Sequence, residues 1–165
     1  MIYLDYSATT PVNEEVLKSY VETTKKIIGN PNSLHKLGVE AKSLIDAATK
    51  QIANILGIKP SEVIYTSGAS EANNTAIKGI CLKYKTRGKH IITTKLEHSS
   101  VLEPLNYLTK QGFEVEYVKI KKDGKVDLED LENKMRPDTI LVTIASISSE
   151  LGIIQPINEI GKIVK

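Results

Sequence analysis

The chain has 165 residues, of which 41% are hydrophobic and 25% are charged, and its formal net charge is +2. This composition predicts a folded domain with a sizeable core and excludes a disordered chain, while the small net charge argues against a nucleic-acid partner. One cysteine excludes a disulfide framework, and no apolar run reaches membrane-spanning length. The sequence shows no signal peptide, so we expect a cytoplasmic protein with no membrane partner.

The N-terminal part of the chain differs in pattern from the rest. An extended stretch at residues 3–8 is followed by a helix predicted over residues 13–27, and Thr10 with Pro11 is placed to begin it. A loop rich in glycine, asparagine and proline comes next. We therefore predict an N-terminal segment over residues 1–35 and a larger domain over residues 36–165.

Helical and strand patterns alternate after the N-terminal segment. The predicted helices cover residues 35–56, 71–83, 100–111 and 128–135, and another begins at residue 157; the predicted strands cover residues 63–65, 89–94, 114–120 and 139–145. Gly57 is placed to end the first of these helices. Ser100 and Glu103 have the spacing of a capping box that begins the third, and Asp127 is placed to cap the fourth. Such alternation predicts an α/β fold with three layers, in which helices flank a mainly parallel sheet.

The last predicted helix carries no stop signal. The predicted helix runs from residue 157 to residue 165 without a glycine or a proline after its last turn. No later strand receives this crossover helix. We therefore expect the larger domain to be incomplete within these 165 residues.

Two polar sites follow predicted strands. Gly68, Ala69 and Ser70 lie between the first strand and a helix, where free N–H groups and the helix dipole favour an anion such as phosphate. A plain capped turn is the alternative. The second site is residues 97–100, which contain His98 and follow the next strand. Glu97 in this segment is either a partner of the site or a plain loop carboxylate. An anion site and an imidazole are thus predicted at the ends of neighbouring strands.

Five motifs occur in order along the chain, at residues 3–11, 29–35, 66–74, 97–98 and 150–156. Together they resemble the N-terminal portion of the cysteine desulfurases, which belong to the class V group of fold-type-I pyridoxal-phosphate enzymes. The resemblance implies that residues 36–165 are part of the large, cofactor-binding domain. It also implies a parent protein of roughly twice this length, because that family's chains are longer.

The resemblance assigns roles to particular residues. Ala69 and Ser70 match the pair that binds the phosphate of pyridoxal 5'-phosphate, and His98 matches the histidine that stacks on the cofactor ring and takes part in proton transfer. Ser149 stands where the family usually has an asparagine that donates to the phenolic oxygen, and a serine is a shorter donor. The remaining candidates line the substrate entrance in this resemblance: Ala8, Thr9, Asn32 and His35. No metal site is predicted.

The resemblance also implies an activity and its partners. The family converts L-cysteine to L-alanine and an enzyme persulfide, acts as a homodimer, and passes sulfur to an acceptor or scaffold protein for iron–sulfur clusters or tRNA thiolation. The family's cofactor lysine and its sulfur-accepting cysteine have no match in this chain. Cys81 is predicted to be a buried, inert thiol. We therefore expect these 165 residues by themselves to be inactive and to bind the cofactor poorly.

Other functions remain open at this point. Ser148 and Ser149 leave room for a selenocysteine lyase or another class V aminotransferase relative. A non-catalytic phosphate-binding α/β module is a further alternative, although the chain lacks a Gly-x-Gly-x-x-Gly motif and a P-loop. A regulatory or scaffold protein derived from the enzyme is the last.

Overall fold

The computed structural model describes residues 2–165, and the chain divides into two compact units with the boundary between Tyr65 and Thr66. The first unit holds helices α1 (Glu14–Lys26) and α2 (Lys36–Leu56) and a 3-10 turn at Pro60–Glu62. No helix within residues 2–165 is long and apolar enough to span a membrane.

The start of α1 lies later than the sequence predicts. Asn13, not Thr10, is the N-cap, and its side chain accepts hydrogen bonds from the backbone N–H groups of Glu15 and Val16 at 2.9 and 3.2 Å. Asparagine satisfies two free N–H groups of the helix start there, which stabilises this boundary. Gly57 ends α2 as predicted, in the left-handed conformation that glycine adopts without strain.

The second unit is an α/β fold. Its elements are α3 (Ala69–Tyr84), β1 (His90–Thr93), α4 (Ser99–Lys110), β2 (Glu114–Tyr117), α5 (Leu128–Lys134), β3 (Thr139–Val142) and α6 (Ile157–Val164). The strands pair in the order β2-β1-β3, and both pairs are parallel. The predicted fold class, helices flanking a parallel sheet, is confirmed.

The second unit has three layers because successive residues of β1 point to opposite faces of the sheet. Ile91 packs among apolar side chains of α3 and α4, including Ile77 and Leu105. Ile92 packs on the other face, among side chains that include Leu131 of α5 and Ile160 of α6. Helices α3 and α4 therefore cover one face of β1, and helices α5 and α6 cover the other, as expected for a parallel sheet.

One predicted strand is absent. Residues 63–65 have a strand-like composition, but they carry no strand pairing within the described part of the chain. Ile64 and Tyr65 are exposed, and Tyr65 hydroxyl contacts Thr49 Oγ1 at 2.8 Å instead. A strand forms only where a neighbouring strand offers its backbone groups, which composition cannot supply.

The strand order indicates where a ligand would bind on the sheet. From β1 the chain passes through α4 to β2 on one side, and then through α5 to β3 on the other side of β1. The strand order therefore reverses its direction between the neighbouring strands β1 and β3. In open parallel sheets, ligands bind beyond the carboxyl ends of the strands at such a point.

Candidate active site

A cleft of about 220 Å³ opens beyond the carboxyl ends of β1 and β3. Its lining comes from the two segments that follow these strands: Lys95, Leu96, Glu97, His98, Ala145, Ile147, Ser148, Ser149, Glu150 and Leu151. His98 and Ser149, which are 51 positions apart in the sequence, thus line the same cleft. The cleft is the feature that the strand order predicts at this edge.

His98 begins α4. It is the N-cap residue, and its Nδ1 accepts the backbone N–H of Ser100 at 3.1 Å. The sequence predicts a later start, with Ser100 and Glu103 as a capping box, and the structure corrects this. A histidine ring that is held by a helix cap has a fixed orientation, so capping and a role in the cleft are compatible here.

A hydrogen-bonded path joins His98 to helix α3. Ser100 Oγ lies 2.9 Å from His98 Nδ1, and the side-chain amide of Asn73 donates to the same Oγ at 2.9 Å. Asn73 lies one helical turn after Ala69 and Ser70. The predicted anion site and the predicted ring-stacking histidine are therefore tied together by two side chains.

The N-terminus of α3 carries free backbone donors. Gly68 is the N-cap and supplies no side chain, and no acceptor within residues 2–165 is bonded to the N–H groups of Ala69, Ser70 or Glu71. Ala69 and Ser70 are exposed. Unpaired N–H groups at the positive end of a helix dipole are the donors that phosphate groups use in proteins.

The turn before α3 is fixed by Glu71. Its carboxylate accepts both the backbone N–H and the hydroxyl of Ser67, at 2.7 and 2.6 Å. These two donors, the hydroxyl first, hold the pKa of Glu71 below its usual value. Glu71 therefore shapes the turn that presents the free N–H groups of the helix.

Glu97 connects the two segments that line the cleft. Its carboxylate accepts the hydroxyl of Thr94 at 2.8 Å and the backbone N–H of Ala145 at 3.1 Å. The sequence leaves Glu97 between a partner of the site and a plain loop carboxylate. Because Glu97 is buried and its bonds span from β1 to the segment after β3, it supports the geometry of the site.

Ser149 lies at the tip of a short hairpin-like turn. Ile147 and Ile154 form an antiparallel bridge, and the backbone N–H of Gly152 donates to Ser148 carbonyl at 2.8 Å. Gly152 has φ of +66°, a conformation that other residues adopt only with strain. The turn holds exposed Ser149 at the cleft.

The four predicted entrance residues lie in the first unit. The N–H groups of Ala8 and Thr9 both donate to Asp5 carbonyl, and both residues are exposed. Asn32 is exposed in the loop before α2. His35 is the N-cap of α2, and its Nδ1 accepts the N–H of Gly38 at 3.4 Å.

Cys81 is a core residue. Its side chain is fully buried among apolar residues of α3, α4 and β1. Burial raises the pKa of the Cys81 thiol to about 11. The thiol is therefore protonated and inaccessible, in agreement with its prediction as inert.

Sequence reasoning missed several residues that support the cleft. The sequence assigns no role to Asn73 or Thr94, although Asn73 falls inside the motif at residues 66–74, and it assigns Ser100 only a helix cap. Asn73 and Ser100 are 27 positions apart, and Glu97 and Ala145 are 48 apart. For Asn73 and Ser100, the available signal is a polar side chain within a predicted helix that packs on the sheet.

The chain is similar in sequence and in fold to known proteins. A model of the aminotransferase class-V family matches residues 2–165. A cysteine desulfurase IscS of Dictyoglomus turgidum is 46% identical over 164 residues, which are 99% of this chain and 42% of that protein. The solved structure of a NifS-like protein superposes with a TM-score of 0.96 at 40% identity, over 99% of this chain and 45% of that one. SspA in complex with cysteine has a TM-score of 0.91 at 40% identity, over 98% of this chain and 47% of that one.

The fold is that of part of the large domain of fold-type-I pyridoxal-phosphate enzymes. The chain belongs to the aminotransferase class-V family. It spans less than half the length of these relatives. The residues present fit the cofactor of this family, because α3 offers free N–H groups for a phosphate and the cleft offers a flat imidazole for a ring.

Proposed function

We propose that this chain is part of a pyridoxal-phosphate-dependent cysteine desulfurase, which converts L-cysteine to L-alanine and an enzyme persulfide. The observation that carries the proposal is the cleft that His98 and Ser149 line together at the carboxyl edge of β1 and β3. The similarity to the cysteine desulfurase of Dictyoglomus turgidum supports the activity. A structural neighbour that was solved in complex with cysteine supports the substrate.

The residues of this chain have separate tasks in that proposal. The backbone N–H groups of Ala69 and Ser70 and the hydroxyl of Ser70 bind the phosphate. The ring of His98 stacks on the cofactor and holds a proton at the cleft, and the hydroxyl of Ser149 donates to the phenolic oxygen. When bound, pyridoxal phosphate supplies an electron sink for the substrate.

The net reaction needs a thiol that this chain does not offer. The C–S bond of L-cysteine breaks, its sulfur bonds to the sulfur of an enzyme thiol, and a proton goes to the substrate carbon, so that L-alanine and a persulfide form without an external oxidant. Cys81 is the single cysteine of the sequence and is buried. We infer that residues 1–165 alone do not turn over cysteine.

The remaining assignments follow from the same proposal. Ala8, Thr9, Asn32 and His35 contribute to the substrate entrance, which the motifs at residues 3–11 and 29–35 support. The whole enzyme is a cytoplasmic homodimer that passes sulfur to an acceptor or scaffold protein for iron–sulfur clusters or tRNA thiolation. No observation favours the selenocysteine lyase or the phosphate-binding module.

The gene product that contains this chain provides the test. With pyridoxal phosphate, L-cysteine and a reducing thiol, we expect alanine and sulfide in equal amounts. His98→Ala should lower kcat about 100-fold, because proton transfer by a positioned side chain contributes that much. Glu103→Gln, on the exposed side of α4, is the matched control. A cofactor-loaded protein that forms alanine from selenocysteine and not from cysteine would refute the proposal.

A further inference from the structure

Two groups of Ser100 contact Nδ1 of His98, and Asn73 contacts one of them. The backbone N–H of Ser100 lies 3.1 Å from Nδ1, and Ser100 Oγ lies 2.9 Å from the same nitrogen. Behind Ser100, the side-chain nitrogen of Asn73 lies 2.9 Å from Oγ. Ser100 is 8% exposed, so its hydroxyl depends on these partners rather than on solvent.

The polarity of this network follows from its fixed donors. A backbone N–H and a side-chain NH₂ group only donate, so His98 Nδ1 accepts from Ser100 and Ser100 Oγ accepts from Asn73. The one hydrogen of the hydroxyl is then directed at Nδ1. The neutral ring therefore carries its hydrogen on Nε2, since the partner of one ring nitrogen selects the tautomer.

We propose that Asn73 and Ser100 are positioning residues that hold His98 with Nδ1 as acceptor and Nε2 as the hydrogen-bearing nitrogen in the cleft. The inference rests on the proposed function for its catalytic consequence, but the tautomer itself is a property of this chain. Asn73 lies in α3 and Ser100 in α4, so the pair also fixes the ring relative to the helix that carries Ala69 and Ser70.

The wild-type chain gives the first test, without cofactor or substrate. Long-range proton–nitrogen spectra of ¹⁵N-histidine-labelled chain report which ring nitrogen bears the hydrogen, and His98→Gln identifies the signal of His98 among three histidines. We expect the Nε2–H form alone at a pH where the ring is neutral. A substantial Nδ1–H population would overturn the proposal.

Substitutions at Asn73 give a test that depends on polarity rather than on packing. Asn73→Asp keeps the shape but replaces a donor with an acceptor, so the hydrogen of Ser100 turns away from His98 and the Nδ1–H population rises. Asn73→Ala removes the donor without imposing an acceptor and should change the tautomer less. If Asn73 acted only through packing, Asn73→Ala, which changes the shape more, would change the tautomer of His98 more than Asn73→Asp does. That order of effects would refute the proposal.

Turnover by the gene product that contains this chain gives the catalytic readout. Loss of one such hydrogen bond corresponds to about fivefold in kcat, so we expect that effect for Asn73→Ala and a larger one for Asn73→Asp, with KM for cysteine nearly unchanged. Ser100→Thr, which keeps a hydroxyl, should retain more activity than Ser100→Ala. Ser99→Ala is the control, because Ser99 is exposed and makes no side-chain hydrogen bond within residues 2–165.

The two readouts separate this inference from the proposed function. The Nε2–H form in a protein that does not act on cysteine leaves the positioning role in place and removes the proposed function. An active desulfurase in which Asn73→Asp changes neither the tautomer nor kcat removes the positioning role alone. Thermal unfolding of each variant shows whether a loss of activity is a loss of fold.

Discussion

Both carboxylate oxygens of Glu97 lie 3.1 Å from the backbone nitrogen of Ala145. Glu97 follows β1 and Ala145 follows β3, so this hydrogen bond joins the two segments that line the cleft. Thr94 donates to one of the same oxygens at 2.8 Å, and Glu97 is only 7% exposed. A buried carboxylate with two fixed donors is costly to replace, because each donor that loses its acceptor stays buried.

Glu97→Gln should destabilise the chain by about 1–3 kcal/mol, since one oxygen that accepts from Ala145 is replaced by an NH₂ group, which sets two donors against each other. Urea unfolding measures the free energy, and hydrogen exchange should show faster exchange at the amide of Ala145. Glu103→Gln, which is exposed on α4, should change stability by less than about 0.5 kcal/mol. Equal effects of the two substitutions would contradict the structural role of Glu97.

The free energy of unfolding should fall as the pH is lowered from 7 to 5, because of His90. Its ring is fully buried, and Nε2 has no hydrogen-bond partner within the described residues. Burial first, and the charge of Arg136 second, hold the pKa of His90 below 6.5. The unfolded chain takes up a proton as the pH falls through about 6.5 and the folded chain takes it up only at a lower pH, so stability present above 6.5 is lost as the pH falls below it.

His90→Gln should remove most of this slope, which is at most about 1.4 kcal/mol per pH unit for one group. Guanidinium unfolding at several pH values measures how the free energy of unfolding depends on pH. The lowered pKa values of Asp130 and Asp138 act in a different window, because these carboxylates start from 3.8 and their stabilisation is lost only at lower pH. An unchanged slope between pH 7 and 5 in the variant would show that another group is responsible.

Cys81 should react slowly with thiol reagents in the folded chain. Its pKa is raised from 9.0 to about 11 by burial, so the thiolate is about 100-fold scarcer than for a free thiol at neutral pH, before access is considered. Rates of modification in native buffer and in urea give the comparison. Cys81→Ala in the gene product that contains this chain should keep desulfurase activity, and loss of sulfur transfer from a folded variant would contradict the assignment.

Ser149→Asn should strengthen binding of pyridoxal phosphate. The longer side chain donates further into the cleft, and one added hydrogen bond corresponds to about fivefold in Kd. Absorbance titration of the cofactor-free gene product measures the affinity, and Ser149→Ala should shift it in the opposite direction. Equal affinities for all three proteins would remove Ser149 from the proposed cofactor contacts.

Local signals in the sequence located most elements. Asp127 caps α5 as predicted, accepting the N–H groups of Glu129 and Asp130. The predictions are less accurate where two candidates compete: Asn13 caps α1 in place of Thr10, and His98 caps α4 in place of Ser100. Side chains near a helix start compete for the same N–H groups, and their spacing alone does not rank them. The domain boundary at residue 35 stays a prediction.

The sequence by itself determined the alternation of helices and strands, the buried state of Cys81 and the candidates His98 and Ser149, because periodicity and motifs are local or ordered along the chain. Only the tertiary structure decided that residues 63–65 pair with no strand and that β1 lies between β2 and β3. It also decided which distant groups meet, such as Asn73 with Ser100. Strand partners and buried hydrogen bonds depend on packing between segments that are far apart in the sequence. A local sequence pattern does not predict which of these segments come into contact.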